Sequence, residues 1–249
     1  MQELLSLANH LADEAGTVIR RHFRQDFDIE SKADESPVTV ADRGVEAALR
    51  KIIEETRPDD GILGEEYGPK ETKSGLTWVL DPIDGTKSFI VGRPTFGTLI
   101  ALCKDNVPLL GVIDQPIAKE RWVGDGTLTT FNDKLVKTRA CASLKQAVVG
   151  STSPRQIPDL WPHLYTDCKA VVWGGDCYSY GLMASGWMDM IVENFLAPYD
   201  YAALVPIVTG AGGWMGDWEG HGLNLVSEGR TLAVGDVRLK DDALKLVNG

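Results

Sequence analysis

No run of apolar residues in this chain approaches the ~20 needed to cross a bilayer as a helix, so no membrane span is expected. The first residues, MQELLSLANHLADEAG, are acidic and amphipathic, with neither the basic start nor the unbroken apolar stretch of a signal peptide. The expectation is a chain that begins near Met1 and stays in the cytoplasm. Cysteine is scarce. The four present, Cys103, Cys141, Cys168 and Cys177, form no CxxC pair, which speaks against a disulfide framework or a zinc site and for reduced thiols. Positive charge is also short. Twenty-five Lys and Arg face 36 Asp and Glu, a net charge of −11, and such a surface repels a nucleic-acid backbone. The four histidines (His10, His22, His163, His221) are isolated, and no Gly-x-Ser-x-Gly occurs, so the usual nucleophile arrangements are missing.

What is present is an ordinary globular composition, 43% hydrophobic and 24% charged over 249 residues, without repeats, low-complexity tracts or a Ser/Pro-rich linker. Leu4, Leu5, Ala8, Leu11, Ala12, Ala15, Val18 and Ile19 recur at helical spacing, which predicts a helix over about 3–23. A second helix is predicted from Asp42 through Val45, Leu49, Ile52 and Ile53, stopping before Pro58. Short β-type runs follow at 77–80, 96–102, 109–113 and 121–123, spaced closely enough for antiparallel pairing. Beyond them the pattern alternates: strands at 147–150, 171–173 and 188–192, helices at 180–185 and 201–211 (the latter opened by Asp200), then 232–234 and 241–247. The expectation is one domain over 1–249. A strand-rich α+β half, about 1–140, joins an α/β half, about 141–249, with the cleft between them as the natural site.

The acidic residues sit where elements begin or end: Asp42 in SPVTVAD, Glu65 and Glu66 in ILGEE, Asp81 and Asp84 in LDPIDGT, and Asp200 in PYDYAA. Singly, Asp42 and Asp200 read as helix caps and Glu65-Glu66 as a solvated turn. Asp81 and Asp84 are harder to explain that way. Two carboxylates three residues apart repel unless a cation lies between them. All-oxygen ligands select Mg²⁺, Mn²⁺ or Ca²⁺, and the Ile83 carbonyl between the two acids could serve as an extra ligand. Gly85 permits close backbone approach, and Thr86 through Ser88 offer free N–H groups at a helix start, a phosphate-binding arrangement. An Asp that attacks phosphorus itself typically sits in D-x-D-x-[T/V]. Here the acids are one residue further apart, which favours attack by a metal-activated water.

Taken together, PVTVAD, GEE, DPIDGT and DYAA…GAGG, in that order over essentially the whole chain, resemble the inositol monophosphatase superfamily of metal-dependent phosphatases. The resemblance implies a layered αβαβα sandwich, an α+β fold, assembled as a homodimer. It implies Mg²⁺ as cofactor, two or three ions, with Mn²⁺ as a possible substitute. The metal ligands would be Glu65, Asp81, the Ile83 carbonyl and Asp84, with Asp200 completing the second site. Glu65 and Thr86, the latter oriented by Asp42, would position and activate the water. Gly85 and Thr86 would cradle the phosphate. Tyr199-Asp200 replaces the usual Trp-Asp, which keeps the acid and changes its neighbour.

The substrate implied is a small-molecule phosphate ester. WGGDCYSYG and PYDYAALVP look like the histidinol-phosphate phosphatase branch, in which two further acids, Asp176 and Glu193, would suit a cationic leaving group. The alternative is an inositol or sugar phosphatase. Against the branch reading, Gly-Gly-Asp before a helical run is common capping chemistry, so Asp176 is also readable as a cap. Trp173, Tyr178 and Tyr180 read singly as core and collectively as candidates to stack on an imidazole.

Overall fold

The computed structural model describes residues 1–25 and 37–249, and the side chains of 1–25 and 40–249. Ser36 of the first acidic motif lies outside the described residues. Helix α1 (Gln2–His22) turns Ala8, Leu11, Ala12, Ala15 and Ile19 inward, the spacing of one helical face. Helix α2 (Pro37–Thr56) begins five residues before the predicted start. Proline is well placed in a first helical turn, where its missing N–H costs nothing. Asp42 consequently lies inside the helix, and the cap reading does not apply to it.

Strands β1 (Gly61–Gly64), β2 (Leu76–Asp84), β3 (Gly97–Lys104), β4 (Val107–Gln115), β5 (Glu120–Gly124), β6 (Thr129–Phe131) and β7 (Lys134–Leu135) form a seven-stranded sheet in that order. It is antiparallel from β2 onward, while β1 runs parallel to β2. A five-residue helix α3 (Thr86–Ile90) follows β2.

The second sheet takes β8 (Val148–Ser151), β9 (Ala170–Trp173), β10 (Met190–Glu193), β11 (Trp214–Asp217) and β12 (Thr231–Val234) in the order β11-β12-β10-β8-β9. Strands β9, β8 and β10 are parallel, and β12 is antiparallel to both β10 and β11. Between and after the strands come α4 (Trp161–Asp167), α5 (Asp176–Ala184), α6 (Pro198–Tyr201), α7 (Leu204–Gly210) and α8 (Lys240–Asn248). The helix predicted over 201–211 is thus two pieces, and Asp200 lies within the first of them.

Alternation along the strands dictates the layers. Trp78, Leu80, Ile100, Leu102, Leu110 and Val112 pack with α1 and α2, whereas Val79, Leu99, Ala101, Ile113 and Trp122 pack with α5 and α7. The other side of α5 and α7 meets Ile191 and Ala233 of the second sheet, whose opposite face (Val149, Met190, Val192, Leu232, Val234) packs with α4 and α8. The order is helix, sheet, helix, sheet, helix: a layered αβαβα sandwich. No helix among the described residues is long and apolar enough to cross a membrane.

Candidate active site

The acidic cleft is assembled by strand geometry. On β2, Asp81 shares its face with Val79, toward the middle helices. Asp84 is three residues on, so a regular strand would send it to the opposite face. The register instead shifts: Asp81 pairs with Leu99 and Asp84 with Gly97, three steps against two. This bulge turns Asp84 back to the same face as Asp81 and drives Ile83 into the core beneath α1 and α2. Pro82, which has no N–H to give a ladder, sits within the bulge and accepts the Thr98 hydroxyl on its carbonyl at 2.9 Å. β1 runs beside β2 with Gly64 opposite Leu80, so Glu65 emerges abreast of Asp81.

From the other sheet come the carboxyl ends of its parallel strands, where α/β folds place ligands. Thr152 follows β8, Asp176 opens α5 just after β9, and Glu193 ends β10. Asp200 reaches in from α6, its Oδ2 accepting the Ala197 N–H at 2.6 Å. Carboxylate oxygens of Asp81, Asp84 and Asp200 all lie within 4.8 Å of one another, and Glu65 interacts electrostatically with Asp81 and Asp200. Asp84, Thr152, Asp176, Cys177, Tyr180, Glu193 and Asp200, with Leu196 and Leu204, line a narrow cleft. A wider groove between α1 and the β4–β5 hairpin is lined by Asp13, Asp114 and Arg121. Arg20, Lys119 and Arg121 there balance Asp13, Asp114 and Asp133, and Arg121 is bonded to Asp13 and Asp114 at 2.7 Å.

In the cleft, burial and then mutual repulsion raise the carboxyls. Burial, then Asp176 and Asp200, push the Asp84 carboxyl up to about 8. Burial, then Glu65, Glu66 and Glu46, do the same to Asp42, also to about 8. Glu65 rises to about 7 through burial, then Asp200 and Glu66. Asp81 rises well above the carboxylate range through burial, then Asp84 and Glu65. Asp200 is raised by burial against the bond from Ala197. Oδ1 of Asp81 and Oδ1 of Asp42 are buried without a hydrogen-bond partner. Crowded, unpartnered, all-oxygen donors are what a hard divalent cation satisfies, so these residues fit the metal that the sequence implies.

The remaining predicted residues fall around this cluster. Gly85 adopts φ +87 at the start of α3, and a Cβ there would stand 2.8 Å from Asp176 Oδ2. Only glycine meets both demands. The Thr86 hydroxyl donates to the Ile83 carbonyl at 3.3 Å and not to Asp42, which corrects the expected Asp42–Thr86 pairing. A hydroxyl has one proton, and here the nearer acceptor takes it. Asp176 is the first residue of α5 at φ +41, and its side chain makes no capping bond. Its carboxylate instead receives the Ser88 hydroxyl at 3.5 Å and lies 3.3 Å from the Thr152 hydroxyl, whose one proton has a nearer acceptor in Glu193. Glu193 is 3% exposed, and its Oε1 accepts the Thr152 N–H at 2.7 Å and the Thr152 hydroxyl at 3.0 Å. Burial pushes Glu193 up to about 8.

Sequence reasoning missed Thr152 and the Cys177 N–H, which donates to Asp84 Oδ2 at 2.6 Å. The signal for Thr152 was its position directly after a β run in the alternating half. Of the three aromatics, Tyr178 bonds Glu120 at 2.6 Å and Trp173 bonds Tyr165 at 2.8 Å, away from the acids, so Tyr180 alone lines the cleft.

The sequence model of the inositol monophosphatase family matches residues 1–248. The chain belongs to that family. An inositol monophosphatase from Zymomonas mobilis superposes with a TM-score of 0.93 at 47% identity, covering 100% of this chain and 98% of that one. The bifunctional phosphatase IMPL2, chloroplastic, of Arabidopsis thaliana is 48% identical over 227 residues, 88% of this chain. This chain spans 66% of that relative's length. A histidinol-phosphatase of Chlorobaculum parvum is 37% identical over 236 residues, 92% of this chain and 91% of that protein. The family's metal-dependent phosphatase chemistry matches the donor set of the cleft.

Proposed function

We propose that the chain hydrolyses L-histidinol phosphate to L-histidinol and phosphate, a step of histidine biosynthesis, in the cytoplasm and as a homodimer. One observation carries the substrate choice. Beyond the acids suited to a metal, two more carboxylates, Asp176 and Glu193, face the same cleft, with Thr152 between them. No Lys or Arg is among the described residues that line it. Such a wall suits a leaving group that carries an ammonium and an imidazole able to protonate near neutral pH. The similarity to a histidinol-phosphatase supports this reading.

Glu65, Asp81, the Ile83 carbonyl, Asp84 and Asp200 would hold Mg²⁺, two or three ions, with Mn²⁺ as a substitute. When bound, the ions neutralise phosphate charge and make water a better nucleophile. Around them the chain positions and moves protons. The Thr86 hydroxyl gives its proton to Ile83, so its oxygen is left to accept from the attacking water. Glu65 and Asp42, once a bound cation holds them ionised, would be the carboxylates that take the water's proton. The backbone N–H groups of Gly85 and Thr86, at the start of α3, bind phosphate oxygens. Asp176 and Glu193 hold the leaving group against the bulged end of β2.

The alternative, an inositol-1-phosphate or broad sugar phosphatase, uses the same metal set and is favoured by the similarity to the Zymomonas mobilis protein. Phosphate release with Mg²⁺, comparing L-histidinol phosphate with myo-inositol 1-phosphate, decides between them. A preference of at least about tenfold for histidinol phosphate is expected. Equal or reversed rates would return Asp176 and Glu193 to structural roles.

A further inference from the structure

Helix α2 carries Asp42, Glu46 and Arg50 at i, i+4 and i+8, one stripe of its surface. Asp42 meets the cleft, while the other two grip the segment that follows β1. Glu46 has no exposed surface. Its Oε2 accepts the Glu66 N–H at 2.7 Å, and its Oε1 accepts the Tyr67 N–H at 3.3 Å and Arg50 Nε at 2.7 Å. Arg50 Nη2 donates to the carbonyls of Tyr67 at 3.0 Å and Gly68 at 2.9 Å, and its guanidinium lies over the Tyr67 ring at 5.7 Å. On the other side of Glu65, a Cβ on Gly64 would stand 2.0 Å from Glu46 Oε1. Glu65 is therefore the one residue between two that Glu46 touches.

Packing alone does not explain a carboxylate at this place. Its charge pushes both Asp42 and Glu65 further up, adding to the repulsion of the cleft. An apolar residue would avoid that but would leave two backbone N–H groups buried without acceptors. Arg50, only 14% exposed, supplies the compensating charge. A glutamine is no substitute: it has a single acceptor oxygen, and its NH₂ group would face either an amide N–H or the guanidinium.

We propose that Glu46, backed by Arg50, is a positioning residue that sets where the Glu65 carboxylate stands against Asp81 and Asp42, and so governs affinity for the divalent cation without touching it. The inference rests on the reading of Glu65 as a metal ligand. It makes α2 a single part that carries one acid of the site, Asp42, and aligns another, Glu65, twenty-three residues further along the chain.

The test is Mn²⁺ binding to metal-stripped protein, followed by electron paramagnetic resonance. It compares the wild type with Glu46→Gln, Glu65→Gln, the double variant and Gly64→Ala, with apo melting temperatures and the Mg²⁺ dependence of phosphate release alongside. Glu46→Gln is expected to weaken Mn²⁺ binding about tenfold or more, with kcat at saturating Mg²⁺ falling far less. The double variant should bind no worse than Glu65→Gln alone, since the two act on one ligand. Gly64→Ala, which displaces the Glu46 carboxylate from the other side, should reproduce the weakening and serves if Glu46→Gln fails to fold. Lower melting temperatures with unchanged Mn²⁺ affinity, or additive losses in the double variant, would overturn the proposal. Wild-type Mn²⁺ binding by Glu65→Gln would overturn the ligand reading beneath it, a different and separable result.

Discussion

Asp81 and Asp189 are both nearly inaccessible, at 2% and 1% exposure, yet their proton affinities move in opposite directions. Burial works against Asp189 as well, but Arg139 bonds both of its oxygens and the Val148 N–H adds a third bond at 2.8 Å, so its carboxyl is held below the usual range. Asp60 is treated the same way by Arg57, Ser74 and Trp78. In the cleft the strongest neighbours of Asp81 are other carboxylates, and its proton affinity rises. Asp189 and Asp60 are each given an arginine, whereas no arginine among the described residues bonds Asp81, Asp84 or Asp200. A buried carboxylate left without a protein cation is one for which a ligand cation is the natural partner.

The comparison breaks most visibly at Asp84. Asp84→Asn should lower turnover by at least about a hundredfold, because it removes a ligand and a charge that a metal would otherwise balance. The asparagine oxygen can still accept the Cys177 N–H, so the apo melting temperature should stay level or rise. Near-normal turnover with Mg²⁺ would end the metal assignment. Asp189→Asn should do the converse, costing roughly 2–3 kcal/mol of stability by chemical denaturation while leaving the Mg²⁺ requirement unchanged.

Metal and pH sharpen the contrast. Mg²⁺ at about a hundred times its Kd should raise the melting temperature by roughly 5–10 °C, and chelation should reverse this. In the metal-free protein, Asp42 and Asp84 titrate near 8 when folded against 3.8 as reference values. A carboxyl with a raised folded pKa stabilises most below its unfolded value, and that stability is lost as pH rises through the folded one. Metal-free protein should therefore melt at progressively lower temperature between about pH 4 and 8. Asp189 and Asp60, whose values arginines hold below the usual range, add a constant stability through that window and lose it only at lower pH. A flat profile for metal-free protein would contradict the repulsion described for the cleft. The smallest effect is expected at Asp176→Ala: a several-fold loss toward histidinol phosphate, about 1 kcal/mol of an exposed-side charge contact, with myo-inositol 1-phosphate spared. Equal losses on both esters would make Asp176 structural.

Much of the architecture was legible in the residues. Helical spacing located α1 to within a residue or two, and close-set β runs marked an antiparallel sheet, since both periodicities are local. Elements of weak local pattern were missed: the four-residue β1, the β6–β7 hairpin, β11 and α4. The extent of α2 was misjudged because Pro37 was not used as a first-turn signal, and α6 and α7 were merged because Ala202 and Ala203 favour helix equally well.

The sequence by itself determined that Asp81 and Asp84 are neighbours, because three residues of chain hold them together whatever the fold. It also determined the excess of acid over base, which leaves few cations to spare for pairing. That the two acids share a face was decided by a one-residue bulge, a property of pairing with β3. Only tertiary structure brought Asp200, Glu193 and Thr152 to the same cleft, and only it placed the Cys177 N–H on Asp84 and Glu46 beneath Glu65. Those contacts join residues 20 to 119 positions apart, as in Glu46 to Glu66 and Asp81 to Asp200. Separations of that length carry no local pattern and are set by how two sheets pack across one layer of helices.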